Sequence, residues 1–181
     1  MLDRRGFLRN TAGGAAALAA ATLISPGCAA EYPQAEMDGV ALQTLTPKQY
    51  AVVRAAAEAL LVDVPVSPAE VAASVDRELA LVGDPIEGDM KAVLGLIEHL
   101  TILGGRLRRF TALSPEARLR YLGTWRESRF KLRRAAFMAL RAVVYYTAYT
   151  HDSTRPLTGF EGPWPERYRI PVYPVDFGEV V

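Results

Sequence analysis

Apolar residues recur every three or four positions from Val52 to Thr147, the period of helices that bury one face. Four helix starts are marked by Thr46-Pro47-Lys48-Gln49, Ser67-Pro68-Ala69-Glu70, Asp84-Pro85-Ile86-Glu87 and Ser114-Pro115-Glu116. In each, a side chain able to accept a backbone N–H precedes a proline, whose missing N–H would have had no helical partner. Gln49, Glu70 and Glu87 add the reciprocal half of a capping box. The first helix is predicted over Pro47 to Val62, with Val52, Val53, Ala56 and Leu60 inward, and the second over Pro68 to Val82, with Val71, Val75, Leu79 and Val82 inward. The third runs from Pro85 to about Phe110 on Val93, Leu94, Ile97, Leu100 and Leu103, with a bend or early stop expected at Gly104-Gly105. The fourth spans Pro115 to about Glu127, with Leu119, Leu122 and Trp125 inward. The fifth spans about Arg129 to Thr150, with Phe130, Phe137, Leu140, Val144 and Thr147 on one stripe. Short connections make neighbours antiparallel, so the expected fold is all-α, a compact bundle of about five helices over residues 46–150.

The flanks differ. Residues 31–45 read as an extended lead-in. In residues 151–181, Pro156, Pro163, Pro165, Pro171 and Pro174 forbid a long helix, yet Phe160, Trp164, Tyr168, Tyr173 and Phe177 are too aromatic for a solvated linker. This stretch reads as an extended arm that packs on the bundle or on a partner. Residues 1–30 read as a targeting segment. Arg4 and Arg5, followed by Phe7 and Leu8, resemble a twin-arginine export signal, which implies passage across the inner membrane to the periplasm. The uncharged stretch from Thr11 to Ile24 falls short of the roughly 20 residues of a membrane span. Ile24-Ser25-Pro26-Gly27-Cys28 resembles a lipobox with Ser25 where leucine is usual. Two outcomes stay open: Cys28 is lipidated and anchors the chain at the inner membrane, or the signal is cut after Ala30.

Composition narrows the chemistry. At 181 residues and 50% apolar, the chain is long enough for one buried core. A single cysteine excludes an internal disulfide, a CxxC pair and c-type haem attachment. The net charge of +1 becomes −1 once residues 1–27, with three arginines and one aspartate, are removed, and this argues against nucleic acid. Charge is segregated: residues 51–100 hold nine acids and three bases, residues 106–141 eleven bases and two acids. Arg126, Arg129, Lys131, Arg133 and Arg134 crowd the position of Trp125, and arginine beside aromatics is the composition of interface hot spots. Trp125, Arg126, Arg129, Arg133 and Arg134, with Phe160, Gly162, Pro163 and Trp164 of the arm, are therefore candidates for a partner interface. Plainer readings stand beside this one: Trp125 in the core, and the arginines paired with the acidic helices or facing a membrane. His99 and His151 lie outside any metal-ligand spacing. His151 is expected to cap the end of the fifth helix. With no phosphate loop or nucleophile motif, no catalytic residue, metal or cofactor is expected in this chain.

The twin-arginine signal and the Leu-Thr-Pro helix start line up with further motifs: Arg109-Phe110 before Leu113-Ser114-Pro115-Glu116, Trp125-Arg126-Glu127-Ser128-Arg129, Arg133-Arg134-Ala135-Ala136-Phe137, Leu140-Arg141, Tyr145-Tyr146 and Gly159-Phe160-Glu161-Gly162-Pro163-Trp164. Together they resemble the gluconate 2-dehydrogenase subunit 3 family over most of residues 46–165. Where that family commonly has Gly-Tyr-Pro-Gly-Pro-Trp, this chain has Gly-Phe-Glu-Gly-Pro-Trp. The resemblance implies a non-catalytic small subunit and export escort of a flavoprotein of the glucose–methanol–choline oxidoreductase type. FAD would reside in that partner, and a multihaem cytochrome c often completes the complex. The alternative is a free-standing periplasmic helical lipoprotein that binds a ligand or scaffolds the envelope.

Overall fold

The computed structural model describes residues 32–101 and 108–159. Among these, the chain forms seven α-helices and no strand. They are α1 (Gln34–Met37), α2 (Pro47–Leu60), α3 (Pro68–Val82), α4 (Ile86–His99), α5 (Pro115–Arg126), α6 (Lys131–Tyr149) and α7 (Arg155–Thr158). Short 3-10 turns cover Phe110–Ala112 and Asp152–Thr154. The fold is thus the expected all-α bundle, with five long helices and two four-residue ones.

Helix α2 is the hub. It packs against α1, α3, α4, α5 and α6, which is why eight of its residues are buried, from Tyr50 to Ala59. Five of those eight are alanines, and small side chains let several helices approach one axis at close range. Helix α6 packs on α3, α4 and α5 as well. Leu94, Ile97, Phe110, Leu122, Leu140 and Val144 fill the space between with no exposure.

Capping works largely as the sequence indicates. Thr46 and Ser67 each close a full capping box, with Gln49 and Glu70 respectively, and Ser114 accepts from the Ala117 N–H. The third box does not form. Pro85 itself occupies the N-cap, no side chain caps α4, and the helix starts at Ile86. Glu87 instead hydrogen-bonds Thr44 and Lys91. At the other end α4 stops at His99 rather than near Phe110. Gly104-Gly105 and Leu103 lie outside the described residues. The Glu98 carboxylate, near the end of α4, receives the backbone N–H and hydroxyl of Thr111, at 3.1 and 2.8 Å.

Three positions assigned to the core are exposed: Val82, Leu119 and Phe130. Val82 is the last residue of α3, where Gly83 turns the chain at φ +66, a conformation that favours glycine. Phe130 stands at the N-cap of α6, ahead of its buried stripe. Leu119 opens onto a groove described below. In the tail, the chain is not extended from residue 151: it forms a 3-10 turn and then α7, with Pro156 in the first turn, where proline is tolerated.

The lead-in departs most from an extended strand. It holds the one-turn helix α1 and is fastened by two buried carboxylates. Asp76 of α3 accepts the backbone N–H groups of Gln43, Thr44 and Leu45 at 2.7, 3.1 and 2.7 Å. Glu98 of α4 accepts the Tyr32 hydroxyl at 2.8 Å, and Arg109 donates to that hydroxyl at 3.1 Å. Asp38 adds a third tie, accepting from Arg54 and from the Tyr50 hydroxyl. Burial, then the Glu98 charge, raises the Tyr32 phenol above its ordinary value, and burial with Asp38 does the same for Tyr50.

Three helix-start carboxylates are held in their charged form by local donors. The Ser67 bonds hold Glu70 below the usual range, Lys91 and Thr44 do so for Glu87, and Ser114 does so for Glu116. A carboxyl with a depressed folded pKa stabilises the fold above its unfolded value and loses that contribution as pH falls through the folded one. The urea midpoint is therefore expected to decline as pH drops below 4.5. A midpoint that instead rises on acidification would contradict these assignments.

Candidate partner interface

The interface residues predicted from the sequence separate into two groups. Trp125 is a core residue, 1% exposed, its ring edge-on to Tyr121 at 5.8 Å. The reading of Trp125 as a surface hot spot is corrected: helical spacing places it on the same inward face as Leu122 and Tyr121. Arg133 covers this ring, its guanidinium 4.9 Å from the centroid. Arg134 donates to the Ser128 carbonyl and so shapes the α5–α6 turn. These two arginines are partly structural.

Arg126 and Arg129 are exposed. Arg126 pairs with its neighbour Glu127, and Arg129 lies over the exposed Phe130 ring at 5.0 Å. Phe160, Gly162, Pro163 and Trp164 lie outside the described residues, as do Arg4, Arg5, Phe7, Leu8 and Cys28.

Pairing between the basic and acidic halves is sparse. Arg118 of α5 bridges to Glu58 of α2, and Arg109 joins the Glu98 cluster through Tyr32. Among the described residues, Arg126, Arg129, Arg133, Arg134 and Arg141 form no ion pair with α3 or α4. Of these, Arg126, Arg129 and Arg141 are exposed. Two buried donors beside them, Trp125 Nε1 and Arg133 Nε, have no hydrogen-bond partner among the described residues.

Helix α6 carries a feature that the sequence reading passed over. Its inner face is Ala136, Phe137, Leu140, Val144, Thr147 and Ala148. Its opposite face, at spacings of three and four, is Ala135, Met138, Ala142, Tyr146 and Tyr149, all exposed. From Ala135 to Tyr149 the only charged residue is Arg141, on the flank. Fifteen residues without another charge span about 22 Å at 1.5 Å each. A helix apolar on both faces is normally buried on both. The signal was legible in the spacing, but the inner stripe alone had been traced.

Beside this face runs a groove of about 440 Å³ between α5, α6 and the end of α2. Leu60, Leu122, Phe137 and Tyr145 line it, with Leu119, Arg126 and Arg141. The Tyr145 hydroxyl donates to the Leu60 carbonyl at 3.2 Å, which fixes one wall.

The two histidines differ in setting. His99 is held below its ordinary pKa by burial first and by Lys48 second. His151 follows the end of α6, and its Nε2 lies 3.2 Å from the Ser74 hydroxyl of α3. Among the described residues no group of three His, Cys, Asp or Glu side chains could hold a metal ion, and no helix is long and apolar enough to cross a membrane.

Fold and surface together define an all-α bundle with an uncharged outer face on its last long helix and arginines beside it. No protein-family model matches the chain, and neither a curated protein nor a solved structure shows significant similarity to it.

Proposed function

We propose that this chain is a non-catalytic small subunit and export escort of a periplasmic FAD-dependent sugar or alcohol dehydrogenase. The observation that carries this reading is the uncharged outer face of α6, which exposes Met138, Tyr146 and Tyr149 over four helical turns. A contiguous apolar face of that length on a soluble bundle is the mark of a surface built to be covered. The row of arginines beside it, unpaired with the acidic helices, fits a protein partner. The twin-arginine resemblance of Arg4 and Arg5 supports the escort role, and Cys28 offers a lipid anchor at the inner membrane. In this reading FAD belongs to the partner, a multihaem cytochrome c is a further candidate partner, and nucleic acid is not one.

The test is made in the source cell with an affinity tag on the full chain. A flavin-containing protein is expected to co-purify from the periplasmic fraction. Replacing Arg4 and Arg5 by lysine is expected to leave both proteins in the cytoplasm, since paired guanidinium groups are not mimicked by ammonium groups. A wild-type preparation without flavin absorbance would remove the subunit reading and leave the free-standing lipoprotein. Normal export of the double-lysine protein would remove the escort role.

A further inference from the structure

We propose that the groove between α5, α6 and the end of α2 receives an apolar side chain of the partner protein, flanked by carboxylates that meet Arg126 and Arg141. This rests on the subunit reading and names the chemistry of its contact. The volume, about 440 Å³, falls within the roughly 300–1,000 Å³ of sites that enclose ligand groups. The lining is apolar apart from its two arginines, and no acidic residue contributes to it.

Both arginines are available. Among the described residues Arg126 pairs only with the adjacent Glu127, and both are well exposed, so that pair is weak. Arg141 has no carboxylate partner among the described residues; its guanidinium lies over Tyr145 at 5.2 Å. Tyr145 is itself tied to Leu60, so the wall is set before anything binds. A preformed apolar slot with two cations at its side is complementary to an apolar side chain beside an acid.

Charge also selects among occupants. Between Arg126 and Tyr149 the chain holds one acid, Glu127, against Arg126, Arg129, Lys131, Arg133, Arg134 and Arg141. A second copy of this chain docked through the same face would bring like charges together. A lipid surface would satisfy the arginines but is too flat to fill a groove. An acidic, apolar protein segment satisfies both.

The experiment uses the full tagged chain in the source cell, with Leu119→p-benzoylphenylalanine as a photo-crosslinker at the mouth of the groove. The expected product joins residue 119 to an acidic, apolar segment of a flavoprotein. In parallel, Arg126→Glu and Arg141→Glu are expected to lower the recovered flavoprotein at least about tenfold, with Arg120→Glu as an exposed control outside the lining. Unchanged thermal melting of each variant separates lost binding from lost folding. Full recovery with both reversals overturns the proposal. So does a crosslink to a second copy, to residues 160–181 of the same chain, or to phospholipid. If the wild-type chain recovers no flavoprotein, the subunit reading falls separately, and a crosslink to an acidic segment of another protein still upholds the groove.

Discussion

Trp125→Ala is expected to destabilise the bundle by about 3–5 kcal/mol, the usual cost of deleting a buried tryptophan. The side chain is 1% exposed and fills the space where α5 meets the core. Its indole N–H has no hydrogen-bond partner among the described residues, so the loss is one of packing, plus the Arg133 contact above the ring. Trp125→Phe keeps a ring beneath Arg133 and is expected to cost much less. Urea unfolding followed by circular dichroism measures both. An interface tryptophan would behave in the opposite way: the alanine variant would unfold at the wild-type midpoint and lose only its partner. That result would return Trp125 to the surface and overturn its placement in the core.

Asp76→Ala is the second large effect. Three backbone N–H groups, of Gln43, Thr44 and Leu45, would lose their acceptor at once. Each buried donor left unsatisfied costs on the order of 1–3 kcal/mol, and water can reach the more exposed Gln43, so a total of about 3–5 kcal/mol is expected. Asp76→Asn should be milder. Its amide oxygen can replace Oδ1, which serves Thr44 and Leu45, leaving only the Gln43 bond without an acceptor. Hydrogen exchange gives a local readout: the amides of residues 43–45 should exchange much faster in the alanine variant, while those of α5 and α6 follow global stability alone. Unchanged protection at 43–45 would show that Asp76 is not what fastens the lead-in.

The helices were legible because their signals are local. Thr46 and Ser67 each make contacts within three residues, and the α3 boundaries follow directly from Ser67-Pro68 and Gly83. The start of α4 was legible to within one residue, but the ties of Thr44 to Glu87 and of Thr111 to Glu98 were not. No local pattern encodes such ties. Asp76 and Glu98 did leave a trace: Ala72, Asp76 and Leu79, and likewise Leu94, Ile97, Glu98 and Thr101, share buried helical faces. An acid within an apolar stripe marks a carboxylate that must find donors inside. The candidate interface was half legible. Arginine density drew attention to α5 and α6, but density does not show which side each residue takes. Trp125 and Arg133 turn inward, while Met138, Ala142 and Tyr146, unremarkable in composition, form the outward surface.

The Tyr32–Glu98 bond would also act as a mooring point for a lipid-anchored chain. If Cys28 carries lipid, three residues separate the bilayer attachment from Tyr32, a reach of at most about 14 Å for a fully extended chain of four steps. A leash so short leaves a bundle of this size little freedom to roll on the membrane. The end where α4, the Phe110–Ala112 turn and Tyr32 meet is then held against the lipid headgroups. Arg108, exposed at that end, would then face the headgroups. Tethering would thus fix the bearing of the whole subunit relative to the membrane, and with it the direction from which a large partner approaches the outer face of α6.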